Sequence, residues 1–181
     1  MTAAPDGTML ATRGPAVVGL DVALRATGVA YPDGTWTTLK PAYGAAQHSR
    51  RLYHLARLID GVLRLQRPDL AVLEGYSLGG PRTVAAARLA EVGGIARLAL
   101  VAHRIPMVEI PPGLLKKMAT GHGNADKTAM VAAARRRLGY DGDSHDEADA
   151  LFLRHAAHLW YVDHDDPDRH LLEQLPWPQL P

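Results

Sequence analysis

The chain has 181 residues, 47% hydrophobic and 22% charged, a composition typical of one globular domain with its own core. It contains no cysteine, which excludes disulfides, thiolate metal sites and cysteine nucleophiles and favours a cytoplasmic protein. The formal net charge is +1, and the excess of arginine over lysine fits phosphate contacts as well as a GC-rich genome. No apolar stretch reaches the roughly 20 residues that a membrane span needs.

Hydrophobic periodicity predicts three strands near the start of the chain. Residues 1–15 show no periodicity and are expected to form a flexible leader without a signal peptide. The β-branched run AVVGLDVAL then predicts a strand, and TGVAYPDGTWTTLKP predicts two more around a turn at residues 32–34. These three strands would form an antiparallel meander.

The rest of the chain alternates helices with two more strands. A helical period over 47–66 precedes the apolar strand PDLAVLEGY, and an alanine-rich helix over 81–103 precedes the strand IPMVEIPP. Three helices follow, in GLLKKMA, ADKTAMVAAARRRLG and SHDEADALFLRHAAHLWY. The order predicts an α/β domain over 16–161, in which helices flank a mixed five-stranded sheet (three-stranded antiparallel meander plus two parallel strands). The acidic and Pro-rich residues 162–181 are expected to form a loosely ordered tail.

Two acidic residues fall where predicted strands end. Asp21 ends the first strand, and Glu74 ends the second apolar strand, at the sheet edge where ligands usually bind. A turn would also explain Asp21, and a solvated strand end would also explain Glu74. Each residue taken alone therefore leaves its role open.

Two more acids begin the last helix, in the stretch SHDEADALFL. Ser144 and Glu147 match a capping box, which explains both of them as helix-start residues. Capping does not explain Asp146 and Asp149, which share the helix face that continues into its apolar side chains. We therefore expect these two acids to face the sheet and the two strand-end acids.

Such a cluster of carboxylates suits a divalent cation. Clustered carboxylates repel one another, and a bound cation compensates that repulsion. Mg²⁺ and Mn²⁺ prefer oxygen ligands, and a pair of such ions can activate water for phosphodiester hydrolysis. The sequence therefore predicts a Mg²⁺ site, in which Mn²⁺ substitutes, at Asp21, Glu74, Asp146 and Asp149.

The motifs, in this order and spacing, resemble those of the RuvC-type Holliday junction resolvases of the RNase H-like superfamily. The resemblance runs from about Val17 to Trp160 and rests on GLDVALRATGVA, VLEGY, ARLAEVGGIARLAL, GNADKTAM and HDEADALFL. It implies an RNase H-like fold and a homodimeric, metal-dependent endonuclease that cuts four-way DNA junctions symmetrically. The opening turn lacks the Pro-Gly that members often carry after the aspartate, which fits a divergent, phage-type member.

The resemblance also implies roles for individual residues. It implies catalytic, metal-binding carboxylates at Asp21, Glu74, Asp146 and Asp149. Lys127 matches a basic residue near the scissile phosphate; Lys116 matches another, with Lys117 competing for that role. Tyr76 falls in the loop whose aromatic residue probes the bases of the junction, and Arg82, which shares this mobile loop, is a further candidate for DNA contact.

Some interpretations stay open at this point. His145 precedes Asp146 and points about 100° away from it on the helix, so its part in the cluster is undecided. Gly93 and Gly94, on the long helix, fit either packing on the sheet or a helix crossing in the dimer. The run of arginines at 135–137 is better explained by the dipole of its helix than by DNA binding.

Three rival functions compete with junction resolution. The chain could be another RNase H-like nuclease that acts on RNA–DNA hybrids or flaps. It could be a nuclease-dead junction-binding protein, although such a protein has no reason to keep four acids facing a core. An actin-like phosphotransferase would need a second nucleotide-binding half, for which the chain is too short.

Overall fold

The computed structural model describes residues 14–76 and 83–180. Within these ranges the sheet has five strands: β1 (Val17–Asp21), β2 (Thr27–Ala30), β3 (Trp36–Leu39), β4 (Leu70–Glu74) and β5 (Met107–Ile110). Their order is β3-β2-β1-β4-β5. The meander β1–β2–β3 is antiparallel, whereas β4 runs parallel to both β1 and β5. The predicted mixed sheet is confirmed.

Helices cover both faces of the sheet. The described α-helices are α1 (His48–Gln66), α2 (Val84–Ala102), α3 (Pro112–Thr120), α4 (Lys127–Leu138) and α5 (His145–Tyr161). Short 3-10 turns precede α1 at Ala45–Gln47 and follow α5 at Pro167–Leu172. None of the helices within 14–76 and 83–180 combines the length and apolar character that a membrane crossing requires.

Helix boundaries follow local signals in the sequence. Thr83 caps α2 by accepting the Ala86 N–H at 3.1 Å, so this helix begins later than the predicted residue 81. Gly139 ends α4 with a φ of 68°, a left-handed conformation that glycine adopts without steric cost. The predicted glycine cap of α4 is confirmed.

The sheet separates two hydrophobic cores. Side chains on β1 alternate, so that Val18 and Leu20 pack toward α1 and α2, whereas Val17 packs toward α5. Asp21 continues the Val17 side of the strand and therefore emerges beneath α5. Its side chain is one of only two buried polar or charged residues in the described part of the chain.

The α5 helix lies almost directly on the backbone of β1 and β2. A Cβ atom added at Gly19 would overlap the Ala150 carbonyl oxygen, and one added at Gly28 would overlap the Asp146 carbonyl oxygen. Both glycines are buried, and their missing side chains leave the space that the helix occupies. This close approach sets the distance between the acids of α5 and the strand-end acids.

The prediction of a loosely ordered tail is wrong for the described residues 162–180. Leu172 is fully buried, and the Trp177 ring stacks on Trp160 with 5.6 Å between centroids. The Tyr161 hydroxyl donates a hydrogen bond to the Pro178 carbonyl at 2.6 Å. Aromatic packing therefore joins this acidic, Pro-rich segment to the core under α5.

Replacing Gly28 with alanine is expected to destabilise the protein by about 3 kcal/mol, because the added methyl group must displace α5 from the sheet. Urea unfolding followed by circular dichroism measures this change. The matched control is Gly61→Ala in α1, where an added Cβ meets no atom within 4 Å. That control should be neutral or up to about 1 kcal/mol more stable; equal midpoints for both variants would contradict the close approach.

Candidate active site

A cavity of about 340 Å³ opens where β1 and β4 end beside the start of α5. The structure brings the four predicted carboxylates into its lining: Asp21, Glu74, Asp146 and Asp149. Basic and aromatic side chains complete the wall: Tyr76, Arg97, Lys116, Lys127 and His145. Two parallel strands and one helix therefore place chemically related groups from distant parts of the chain at one edge of the sheet.

Burial and mutual repulsion oppose ionisation in this cluster. Burial raises the pKa of the Asp21 carboxyl well above its usual range, and the charges of Glu74, Asp149 and Asp146 raise it further. Burial likewise raises the pKa of Asp149 to about 7, with added repulsion from Glu74 and Asp146. The pKa of Glu74 is raised mainly by burial, while the charge of Lys116 opposes that rise.

The donor set fits a hard divalent cation. Asp149 Oδ1 is buried without a hydrogen-bond partner among the described residues, so no hydrogen bond replaces the hydration that this oxygen has lost. Carboxylate oxygens are ligands that Mg²⁺ and Mn²⁺ prefer. No group of three or more His, Asp or Glu side chains in 14–76 and 83–180 already meets the geometry of a metal site. The role of the four acids as ligands therefore stays a prediction.

The three candidate lysines differ in position. One lines the cavity from α3, one lines it from α4, and one lies outside it. Lys116 is partly buried, and its charge lowers the pKa of Glu74 and Asp149. Lys127 is exposed at the start of α4, and its charge acts on Asp21 and Asp149. Lys117, the competing candidate, is exposed and does not line the cavity. Arg82 lies outside the described residues.

His145 connects the helix start to the basic wall, which the sequence did not reveal. Its Nε2 lies 2.8 Å from Lys127 Nζ, and its Nδ1 lies 2.6 Å from Asp146 Oδ1. With Lys127 charged, the ammonium donates to Nε2, and Nδ1–H then donates to the carboxylate. Helical geometry turned the Cβ of His145 away from Asp146, but the ring rotates back to contact its neighbour.

The predicted capping box is replaced by a longer network. Ser144 Oγ accepts the Glu147 N–H at 3.4 Å, so Ser144 is confirmed as the N-cap. The Glu147 carboxylate does not return to the Ser144 N–H; the Tyr140 hydroxyl stands between them, accepting that N–H at 2.9 Å and donating to Glu147 at 2.8 Å. Thr38 of β3 also donates to Glu147, at 2.7 Å. The start of α5 is therefore tied to both β3 and the segment that follows α4.

Tyr76 is held in place rather than carried on a free loop. Its hydroxyl donates to the Ala90 carbonyl at 3.0 Å and accepts from Arg97 Nη1 at 2.8 Å. Sequence analysis missed Arg97 because nothing in the helical pattern of α2 distinguishes it. Its partner Glu109, in β5, gave a weak signal, since a glutamate is disfavoured inside a strand.

Comparison with known proteins identifies the family. The family model described as crossover junction endodeoxyribonuclease RuvC matches residues 37–156. The chain belongs to the RuvC family. The RuvC of Salinispora arenicola is 33% identical over 157 residues, which cover 80% of this chain and 87% of that protein. The suspected resemblance is thereby confirmed.

Other RuvC relatives match over a shorter region. The RuvC of a Synechococcus species is 33% identical over 104 residues, 56% of this chain and 63% of the relative. The RuvC of Gloeobacter violaceus is 35% identical over 106 residues, 54% of this chain and 58% of the relative. The chain thus spans under two thirds of the length of these two relatives.

Solved structures confirm the RNase H-like fold. The structure of Thermus thermophilus RuvC superposes with a TM-score of 0.62 and 20% sequence identity. The match covers 78% of this chain and 93% of that protein's chain. The same protein in complex with a Holliday junction substrate gives 19% identity and a TM-score of 0.62, with 78% and 92% of the two chains covered. The yeast mitochondrial Holliday junction resolvase gives 12% identity and a TM-score of 0.52, with 76% and 75% covered.

Asp149→Asn is expected to raise the melting temperature of the metal-free protein at pH 8 by about 3 °C, because it removes an unfavourably buried charge. The pKa of Asp149 is about 7 in the folded state, against a usual value of 3.8, so well below pH 3.8 the carboxyl is neutral in both states. As pH rises toward 7, only the unfolded state ionises, and folding stability falls. The variant should lose less stability than the wild type across this window.

Thermal unfolding in EDTA, repeated with Mn²⁺, measures both effects. Mn²⁺ should raise the wild-type melting temperature because it binds only the folded state, and it should raise that of Asp149→Asn less. Asp163→Asn, at an exposed position after α5, is the matched control. A control that behaves like Asp149→Asn would show that the effect reports net charge and not the cluster.

Proposed function

We propose that this chain is a metal-dependent, structure-selective endodeoxyribonuclease that resolves four-way DNA junctions by phosphodiester hydrolysis. Membership in the RuvC family supports this activity, as does the likeness in fold to a RuvC bound to a Holliday junction. The single observation that carries the proposal is the joint lining of one cavity by four carboxylates from β1, β4 and α5.

The RuvC family is metal-dependent in general, and we infer that Mg²⁺ serves here, with Mn²⁺ as a substitute. The ligands would be the four cavity carboxylates Asp21, Glu74, Asp146 and Asp149. Two metal ions held by these carboxylates would supply an activated water and would neutralise charge on the reacting phosphate. The buried Oδ1 of Asp149, which has no hydrogen-bond partner within 14–76 and 83–180, supports this assignment because a cation would satisfy it.

The charges of both cavity lysines favour ionised carboxylates, but the two side chains differ in exposure and in the role we assign to them. Lys116 is partly buried and offsets the charge of Glu74 and Asp149, so it favours the ionised cluster. Lys127 is exposed at the mouth of the same cavity, where an incoming phosphate can reach its ammonium. We assign Lys127 to stabilise the charge that develops on the phosphate in the transition state. His145, bonded to Lys127, holds that ammonium in place.

DNA contacts would extend from this cavity. Tyr76 would meet an unpaired base, and the exposed Lys117 and the predicted contact Arg82 would bind the phosphate backbone. Symmetric cutting of a four-way junction requires two active sites of opposite polarity, which a C₂ homodimer provides. The exposed apolar side chains of Leu98 and Val101 on α2 support a partner surface there. We infer that the enzyme acts in the cytoplasm, on the DNA of a cell or of a phage within it.

Asp146→Asn is expected to lower the rate of junction cutting by about 10³-fold or more, because it removes a ligand charge needed only for the chemical step. Junction binding should stay within about threefold of the wild type, since the basic surface is unchanged. Single-turnover cleavage and gel-shift assays measure the two quantities. Asp163→Asn should cut normally. Cutting by Asp146→Asn at the wild-type rate would remove this residue from the site.

Parallel digestion of a four-way junction, a flap and an RNA–DNA hybrid tests the substrate. We expect paired, symmetric cuts in the junction and at least about 10-fold slower cutting of the other two, since only the junction fits two sites at once. Faster cutting of hybrid or flap would favour a different RNase H-like nuclease. Tight junction binding without cuts, in either metal, would favour a nuclease-dead binding protein.

A further inference from the structure

Tyr76, Arg97 and Glu109 form a hydrogen-bonded group on the cavity wall that the four-carboxylate site does not use. Tyr76 lies two residues beyond β4, Arg97 lies on α2 and Glu109 lies in β5. Arg97 donates through Nε and Nη2 to the two oxygens of Glu109, at 2.6 and 2.7 Å. Its third donor group, Nη1, binds the Tyr76 hydroxyl at 2.8 Å. One guanidinium therefore joins three separate elements.

Tyr76 is fixed from several directions. Its hydroxyl binds both Arg97 and the Ala90 carbonyl, and the guanidinium carbon lies 4.5 Å from the centroid of the ring. The hydroxyl occupies the space over Gly93, where an added Cβ would overlap it. Gly93 therefore makes room for this tyrosine, and the helix crossing suggested for Gly93 and Gly94 stays a prediction.

The charges in this group are balanced. The hydrogen bonds from Arg97 lower the pKa of Glu109, and those to Glu109 and Tyr76 raise the pKa of Arg97, so both residues stay ionised. Glu109 neutralises the Arg97 guanidinium, and the basic residue whose charge lowers the pKa of Glu74 is Lys116, not Arg97. What Arg97 contributes to the cavity is the position of the tyrosine ring.

The ring remains accessible to a ligand. The Arg97 guanidinium lies over the ring, yet Tyr76 keeps 37% of its surface exposed, and it lines the same cavity as Glu74, two residues earlier in the chain. An aromatic ring with a cation behind it offers a π surface to a nucleobase, and stacking of this kind is worth about 1–3 kcal/mol per base. A ring that is already fixed loses little freedom when the base arrives.

We propose that Arg97 and Glu109 are positioning residues that hold Tyr76 as a preformed stacking surface for an unpaired base next to the scissile phosphate. This inference rests on the proposed junction-cutting function. It assigns a base-orienting role to an ion pair on α2 and β5, remote in sequence from the loop after β4. Base stacking then fixes the phosphate relative to the carboxylates, so the pair acts on the chemical step through Tyr76.

The decisive experiment is a double-mutant cycle between Arg97→Lys and Tyr76→Ala in junction cleavage. Lysine keeps the charge but cannot bridge both oxygens of Glu109 and the tyrosine hydroxyl. We expect Arg97→Lys to lower kcat about tenfold with KM changed less than about twofold, because orientation is lost while phosphate contacts remain. In the Tyr76→Ala background, Arg97→Lys should have no further effect.

A spectroscopic readout follows the base itself. The fluorescence of a 2-aminopurine at the junction centre is quenched when the base stacks, and it can be followed in the Asp146→Asn background, in which we expect cutting to be at least about 10³-fold slower. Arg97→Lys should restore its fluorescence to the level seen with Tyr76→Ala. The matched control is Arg64→Lys, which alters another arginine–carboxylate pair, with Asp60, on α1. This control should leave both kcat and fluorescence unchanged.

Tyr76→Phe covers the case in which Arg97→Lys folds poorly. It keeps the ring and removes both hydroxyl hydrogen bonds, and we expect a lower kcat with an unchanged melting temperature. Equal losses from Arg97→Lys with and without Tyr76, or quenching that persists in the variant, would overturn the positioning role. Absence of junction cutting by the wild type would overturn the proposed function and this inference together. If the wild type cuts junctions and Arg97→Lys cuts them at the same rate, the positioning role is overturned while the proposed function stands.

Discussion

The backbone contact between α5 and the first two strands is the constraint on which the cavity depends. Gly19 and Gly28 let the helix approach so closely that carbonyl oxygens of α5 occupy the space of two side chains. Because this contact is made by backbone atoms, side-chain rotation cannot relax it. Asp146 and Asp149 are therefore carried to the edge where Asp21 and Glu74 end their strands, at a spacing that the fold itself sets.

The same constraint holds like charges together against their repulsion. Burial and neighbouring carboxylates raise the pKa of Asp21 and Asp149, so the metal-free cluster opposes folding near neutral pH. Contacts away from the cluster resist that effect, among them the hydrogen bonds of Glu147 to Thr38 and Tyr140 at the start of α5. Binding of a cation to four such carboxylates would relieve their mutual repulsion, which would strengthen the binding. A rigid frame retains this contribution because it keeps the carboxylates close together in the metal-free protein.

Local sequence patterns predicted the strands and helices well, but they could not predict contacts between residues that are distant in the sequence. Strand ends and helical spacing located the four acids, since period and capping are properties of neighbouring residues. The Tyr140 hydroxyl inside the capping network and the stack of Trp177 on Trp160 depend on where separate segments meet. The acidic, Pro-rich composition of the tail predicted loose order, because such a composition is typical of unfolded segments. Composition alone does not show that two tryptophan rings stack on each other.

The α2 helix illustrates why a small residue alone does not identify an interface. Gly93 fitted a helix crossing, yet the tyrosine hydroxyl fills that space, and Arg97 one turn later closes over the ring. The apolar side chains of Leu98 and Val101 instead point outward and are 69% and 63% exposed. If the proposed homodimer forms on this outer surface, one rigid helix carries the partner contact on one side and the tyrosine on the other. Any tilt of α2 on dimerisation would then move Tyr76 relative to the carboxylates, which links subunit geometry to the position of the base.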